Sequence, residues 1–358
     1  MRSILLIDDK QEAVDELTTA LSTVLPADTV EIRTWVPTQD DDDPHQAFLA
    51  KVNEDTTLVV TDSDLTSQGQ LGLFGASIVA WCQQLAIPVG DYSRNLTSLP
   101  KAPELFELRV PSDPQAAATY VAAIFKGFRD IGDALAANDE LTVKRSPSAV
   151  LAALLNQPDL ESQIGLYAIR LGPASGALMH RVEHHDDPSA QEKRSLLTYV
   201  AGHLLLNVLR FPGPILSLRA LKAYIASDEA DAQEVVALFD SASYSGPFSD
   251  LGKYFALTGV DAVIEKLAEL LPQRQDYETS GEFHRAVLES ALNRELSRHQ
   301  CPTRCFGKNG GFLCPFTDRT VCERPDCSVG SNSWLPQGAK LCRIEKDFFE
   351  EWAPLFGL

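Results

Sequence analysis

Ile4-Leu5-Leu6-Ile7-Asp8-Asp9 is the stretch that decides the fold. An unbroken apolar run of this length reads as a strand buried on both faces, as in a parallel sheet. Leu58-Val59-Val60-Thr61-Asp62 repeats the pattern and also ends in a carboxylate. In an open parallel sheet, ligands gather beyond the carboxyl ends of the strands. Two such strands bring Asp8, Asp9 and Asp62 into one pocket. Three converging carboxylates repel one another, and a hard divalent cation relieves the repulsion. Mg²⁺ favours such oxygen ligands.

Outward from these two strands, helices and strands alternate. Residues 11–25 read as a helix, 30–35 as a strand and 71–85 as a helix. Residues 87–93 and 105–111 read as strands, and 114–129 as a closing helix. The expected fold over residues 1–135 is α/β, a doubly wound parallel sheet of five strands in a flavodoxin-like arrangement. The acidic pair, the later Asp and this alternation resemble the receiver domain of response regulators. The resemblance implies that Asp8, Asp9 and Asp62 hold Mg²⁺, that Asp62 is the phosphoacceptor, and that Ser93 contacts the phosphoryl group.

The pattern departs from that family in two ways. It carries a Lys before the Pro that ends the fifth strand, where this chain has Val110. Arg109 lies one residue earlier and, by strand alternation, points to the other face. Pro100 and Pro103 interrupt residues 94–105, so a full fourth helix is not expected there. These departures imply an atypical receiver, a pseudo-receiver in signal transduction. The alternative is an unrelated doubly wound domain whose Asp residues cap helices.

The chain has 358 residues and a formal charge of −19. Residues 1–135 hold 9 basic and 21 acidic residues, and the part from Arg298 onward is close to neutral with 8 and 7. No basic stripe marks a nucleic-acid surface. No apolar run approaches the roughly 20 residues of a membrane span. The start of the sequence lacks a signal-peptide layout, so the expected location is cytoplasmic. Asp40-Asp41-Asp42-Asp43-Pro44 reads as a solvated loop.

Residues 139–147 read as a linker, and 148–297 as a mainly helical domain with breakers at Phe211-Pro212-Gly213-Pro214 and Ser245-Gly246-Pro247. His180, His184, His185 and Asp186 have a spacing that suits a metal, and His185-Asp186 matches the dyad of metal-dependent phosphohydrolases. That chemistry needs further His and Asp ligands on other helices. His203 is a single further histidine without a companion Asp, and a solvated helix end before Pro188 explains the stretch as well.

Residues 298–358 form a cysteine-rich module. Cys301, Cys305, Cys314, Cys322, Cys327 and Cys342 fall within it, broken by Gly and Pro. In a reducing compartment such a cluster points to a metal before disulfides. A structural Zn²⁺ site is expected, with an iron–sulfur cluster as the alternative. Cys301, Cys305, Cys314 and Cys322 are the first choice of ligands, with Cys327 or Cys342 able to replace one, and His299 a further candidate. Disulfides or free thiols remain the non-metal reading. Together these features describe a signalling or adaptor protein that engages a protein partner through its helical domain. Two alternatives remain: a phosphohydrolase-like enzyme regulated by the receiver, or a transcriptional regulator using the cysteine module on DNA.

Overall fold

The computed structural model describes residues 1–38, 43–66, 73–92, 104–138, 141, 146–167, 189–227, 230–271, 277, 279–297, 310–330 and 332–356. The chain divides into two compact units, Met1–Pro158 with Leu171–Leu206, and Asp159–Arg170 with Asn207–Leu358.

The first unit opens with β1 (Ser3–Ile7), α1 (Gln11–Val24) and β2 (Glu31–Trp35). Then come α2 (Pro44–Lys51), β3 (Thr56–Thr61) and α3 (Gly75–Leu85). β4 (Val89–Asp91), β5 (Leu108–Arg109) and α4 (Pro114–Ala137) complete the sheet and its layers. The five strands are all parallel in the order β2-β1-β3-β4-β5, a flavodoxin-like α/β arrangement. β1 and β3 are buried along their whole length, as their unbroken apolar runs require. α1 packs against α4. α2 meets α3 through Trp81, whose ring lies 5.4 Å from Phe48 and 4.9 Å from His45.

Three elements differ from the sequence reading. The fourth and fifth strands shrink to three and two residues. The closing helix runs eight residues past the expected Arg129, because buried Ile131 and Leu135 continue its apolar face. α2 begins where the acidic run was read as loop: Asp43 caps it, accepting from the backbone N–H groups of His45 and Gln46, with Pro44 in the first turn. Asp40–Asp42 and residues 93–103, where no full fourth helix was expected, lie outside the described residues.

The expected boundary at residue 148 is not where the first unit ends. α5 (Pro147–Leu154) belongs to it, and so does a helix after the short α6 (Glu161–Gly165) of the second unit, α7 (Ala190–His203). α7 packs on α4 and α5. It also reaches the turns that feed β3 and β4: the Thr198 hydroxyl donates to Ala86 O at 2.7 Å, and Arg194 donates to the carbonyls of Asn53 and Glu54 at 3.1 and 2.9 Å. Thr198 and Ala86 are both buried. Thr198→Val keeps the shape but strands a buried carbonyl, so it is expected to cost about 1–3 kcal/mol in urea unfolding. A change below ~0.5 kcal/mol would show that α7 is not anchored there.

The second unit centres on an antiparallel pair, β6 (Ile215–Ser217) and β7 (Tyr254–Ala256). Around it lie α8 (Leu218–Tyr224), α9 (Ala232–Ala237), α10 (Leu257–Leu267) and α11 (Ser280–Leu292). Leu216, Leu221, Phe239, Phe255, Ile264 and Val287 share one core. The same core takes in Leu313, which belongs to the cysteine-rich segment, so the described part of that segment is not a separate body. That segment holds hairpin β8 (Phe312–Leu313) with β9 (Thr320–Val321), and hairpin β10 (Ser328–Val329) with β11 (Ile344–Glu345). It closes with α12 (Lys346–Trp352).

Tyr167 anchors residues 159–167 in this unit. Its ring is fully buried and its hydroxyl donates to Phe211 O at 3.0 Å. The ring fits because Gly213 and Gly338 lack side chains: a Cβ on Gly338 would sit 2.1 Å from Tyr167 Cε2, and one on Gly213 2.0 Å from its hydroxyl oxygen.

Candidate functional site

The β1–β3 register aligns Ile7 with Thr61, so the next residues, Asp8 and Asp62, leave the sheet side by side. The ladder continues one step further, with Asp62 N–H donating to Ile7 O at 3.1 Å. Asp8, Asp9 and Asp62 each offer a carboxylate oxygen, and these oxygens lie within 4.8 Å of one another. Among the described residues, this is the one set of three His, Cys, Asp or Glu groups so arranged. Asp8 and Asp9 are 8% and 2% exposed, while Asp62 is half-buried at the mouth.

Local contacts hold the trio in place. Lys10 N–H donates to Asp8 Oδ1 at 2.8 Å, and Ser63 N–H donates to Asp62 Oδ1 at 2.6 Å. Gly75, the first residue of α3, lets the helix start against the backbone of Asp62, since a Cβ there would stand 2.5 Å from Asp62 O. Burial pushes the Asp8 carboxyl up to about 6, and the charges of Asp62 and Asp9 push the same way, against the Lys10 hydrogen bond. The raised carboxyl reflects first its burial and then the two neighbouring negative charges.

No family model, curated protein or solved structure matches this chain. The site is therefore read from its own chemistry. Three carboxylate oxygens, two from buried side chains, fit a hard divalent cation that completes its shell with water.

Before Pro111, at the end of the fifth strand, stands an apolar side chain. Val110 is buried, and its methyl group stands 2.8 Å from where a Cβ on Gly90 would be, so it fills the space above that glycine. Its N–H continues the ladder by donating to Asp91 O. Lys10, at the rim, contributes to holding Asp64 below the usual carboxylate range, after the hydroxyl and N–H of Thr66.

Ser93, His180, His184, His185, Asp186, His299, Cys301 and Cys305 lie outside the described residues. His203 is buried and stacks on Tyr199 at 6.3 Å.

Cys314, Cys322, Cys327 and Cys342 are buried and none is in a disulfide. The first three share one apolar cluster with Val321, covered by Phe312 and Phe316. Cys322 N–H donates to Cys327 Sγ at 3.3 Å. No three of these four sulfurs fall within 4.8 Å of one another. Burial, and then the neighbouring Cys314, push the Cys342 thiol up, so it is held as a thiol. The segment also has apolar content that its Gly and Pro punctuation hides. Phe316 stacks on Phe348 at 5.4 Å and meets Trp334 at 6.2 Å, and Trp334 lies 5.1 Å from Phe349. The sequence reading missed this aromatic row because its rings are spread over three separate stretches. The helical pattern of α7 is legible from Leu196 onward, but its place in the first unit is not, because its anchors there are partly backbone carbonyls, which carry no residue signature.

Proposed function

We propose that this protein is a signalling adaptor whose receiver-like unit binds a divalent cation through Asp8, Asp9 and Asp62 and does not hold a stable phosphoryl group. One observation carries the reading: three crowded carboxylates stand at the carboxyl edge of a parallel sheet, and an apolar side chain fills the place where a cation would neutralise a transferred phosphoryl. A bound Mg²⁺ would supply the missing positive charge and cross-link β1 to the loop after β3. That loop runs into the start of α3, so occupancy tightens one edge of the surface offered to a partner. Among the described residues, no helix is long and apolar enough to cross a membrane.

The test uses a small phosphodonor with Mg²⁺. Labelling of Asp62 is expected to be absent or to decay within the mixing time, because electrostatic stabilisation of the added charge lacks its cation. Robust labelling that disappears in Asp62→Asn would replace the adaptor reading with a phosphorylated switch.

The cysteine-rich segment enters the same proposal as a structural Zn²⁺ site; Cys314, Cys322 and Cys327 share one apolar cluster, and metal binding would have to draw their sulfurs closer together than they stand. Thiolate donors suit zinc, and structural zinc contributes on the order of 10 kcal/mol to small modules. Purified protein is expected to hold about one zinc per chain, and a chelator should expose residues 310–356 to protease. Equal protease resistance with and without chelator, and no metal on elemental analysis, would assign these cysteines to the apolar core. A brown sample with visible charge-transfer absorption would indicate an iron–sulfur cluster instead.

A further inference from the structure

At the amino edge of the sheet, opposite the acidic trio, the first unit carries a groove of about 510 Å³. This is within the usual range of ligand sites, roughly 300–1,000 Å³. Its floor is the start of β3 and β4. One wall is the end of α4, with Phe128 and Leu135, and the other is the start of α7, with Leu197.

The charges set this groove apart. In a chain of net charge −19, its lining has three cations, Arg2, Lys193 and Arg194, against two carboxylates, Glu54 and Asp55. Arg2 is committed to Asp133 at 2.6 Å. Arg194 reaches the carbonyls of Asn53 and Glu54 through one terminal nitrogen, and its remaining N–H groups make no hydrogen bond among the described residues. Burial holds its pKa below the ordinary value, against the opposing charge of Glu54. Lys193 is exposed at the rim and forms no ion pair among the described residues. A half-buried guanidinium with spare donors, beside a free ammonium and an apolar wall, is complementary to an anionic head on an apolar body.

We infer that this groove binds a small amphipathic monoanion, a carboxylate carried on a short hydrocarbon chain. The head meets Arg194 and Lys193, and the chain lies along Phe128, Leu135 and Leu197. The site is separate from the acidic trio, so its success or failure is independent of the cation reading.

The experiment is calorimetric titration of the full chain with octanoate, octanol and octylammonium, three probes that share a chain and differ in head charge. Octanoate is expected to saturate one site with a dissociation constant of about 1 mM or below. Octanol and octylammonium should bind at least tenfold more weakly. Lys193→Glu and Ala190→Trp change exposed positions and leave the fold intact, which circular dichroism verifies. Each should weaken octanoate at least tenfold, the first by reversing a charge and the second by filling the groove. Failure of octanoate to saturate, equal binding of octylammonium, or unchanged affinity in both variants would overturn the inference.

Discussion

Asp8→Asn is expected to stabilise the protein at pH 8 in the absence of divalent cations, and to remove most of the stabilisation that Mg²⁺ gives. The Asp8 carboxyl is raised from 3.8 to about 6 in the fold. The folded state therefore binds more protons than the unfolded state between these values. Stability from this group is highest below about pH 4, falls as pH rises through that window, and stays low above about pH 6. The penalty at pH 8 is on the order of 3 kcal/mol. Asn carries no charge to desolvate and does not repel Asp9 and Asp62, so the variant should recover about 1–3 kcal/mol. On the proposed cation reading, Mg²⁺ would relieve the same penalty in the native protein by binding the folded trio, so it should raise Tm with concentration. The difference between the native protein and the variant, followed from pH 4 to pH 8, reports Asp8 together with its coupling to Asp9 and Asp62, and cancels titrating groups far from the trio. A variant less stable than the native protein at pH 8, or an equal gain from Mg²⁺ in both, would mean that the trio is held together by its hydrogen bonds and is not a cation pocket.

Tyr167→Ala is expected to have the largest effect of any single substitution in the second unit, about 3–5 kcal/mol. The change removes a fully buried ring and its hydrogen bond to Phe211 O. The cavity cannot close cheaply, because the glycines on either side offer no side chain to move in. Gly338→Ala should approach the same cost by the opposite route, since the new methyl would also stand 2.6 Å from Gln163 O, a backbone atom that cannot rotate away. Tyr167→Phe should cost about 1–3 kcal/mol, for the carbonyl left without its donor. Hydrogen exchange gives the readout: protection should fall across α8, α10 and α11 and persist in β1 and β3. A loss below about 1 kcal/mol for Tyr167→Ala would show that residues 159–167 are only loosely attached.

The sheet was legible because β1 and β3 are apolar on both faces, a pattern that only a covered parallel strand explains. The acidic trio was legible for the same reason, since strand ends locate the side chains that follow them. Where the sequence misled, the cause was local. Asp43 is one acid among four, and only its position before Pro44 separates a helix cap from a solvated run. Gly213 reads as a chain breaker among prolines, whereas the structure uses it to admit a ring from 46 residues earlier. For the cysteines, the sequence cannot separate thiols packed as small apolar groups from thiolates poised for metal, since both favour burial.

The two units are interlaced along the chain, which passes from the first to the second after Pro158, returns at Leu171 and crosses again after Leu206. During synthesis, the first unit lacks its α7 until residue 203 has left the ribosome. Tyr167 waits longer: Gly338 follows it by 171 residues. At roughly 5–20 residues per second, that ring spends about ten to thirty seconds without its pocket. A nascent chain is most exposed to chaperones and proteases in that interval, and ribosome pausing between these two positions would lengthen it.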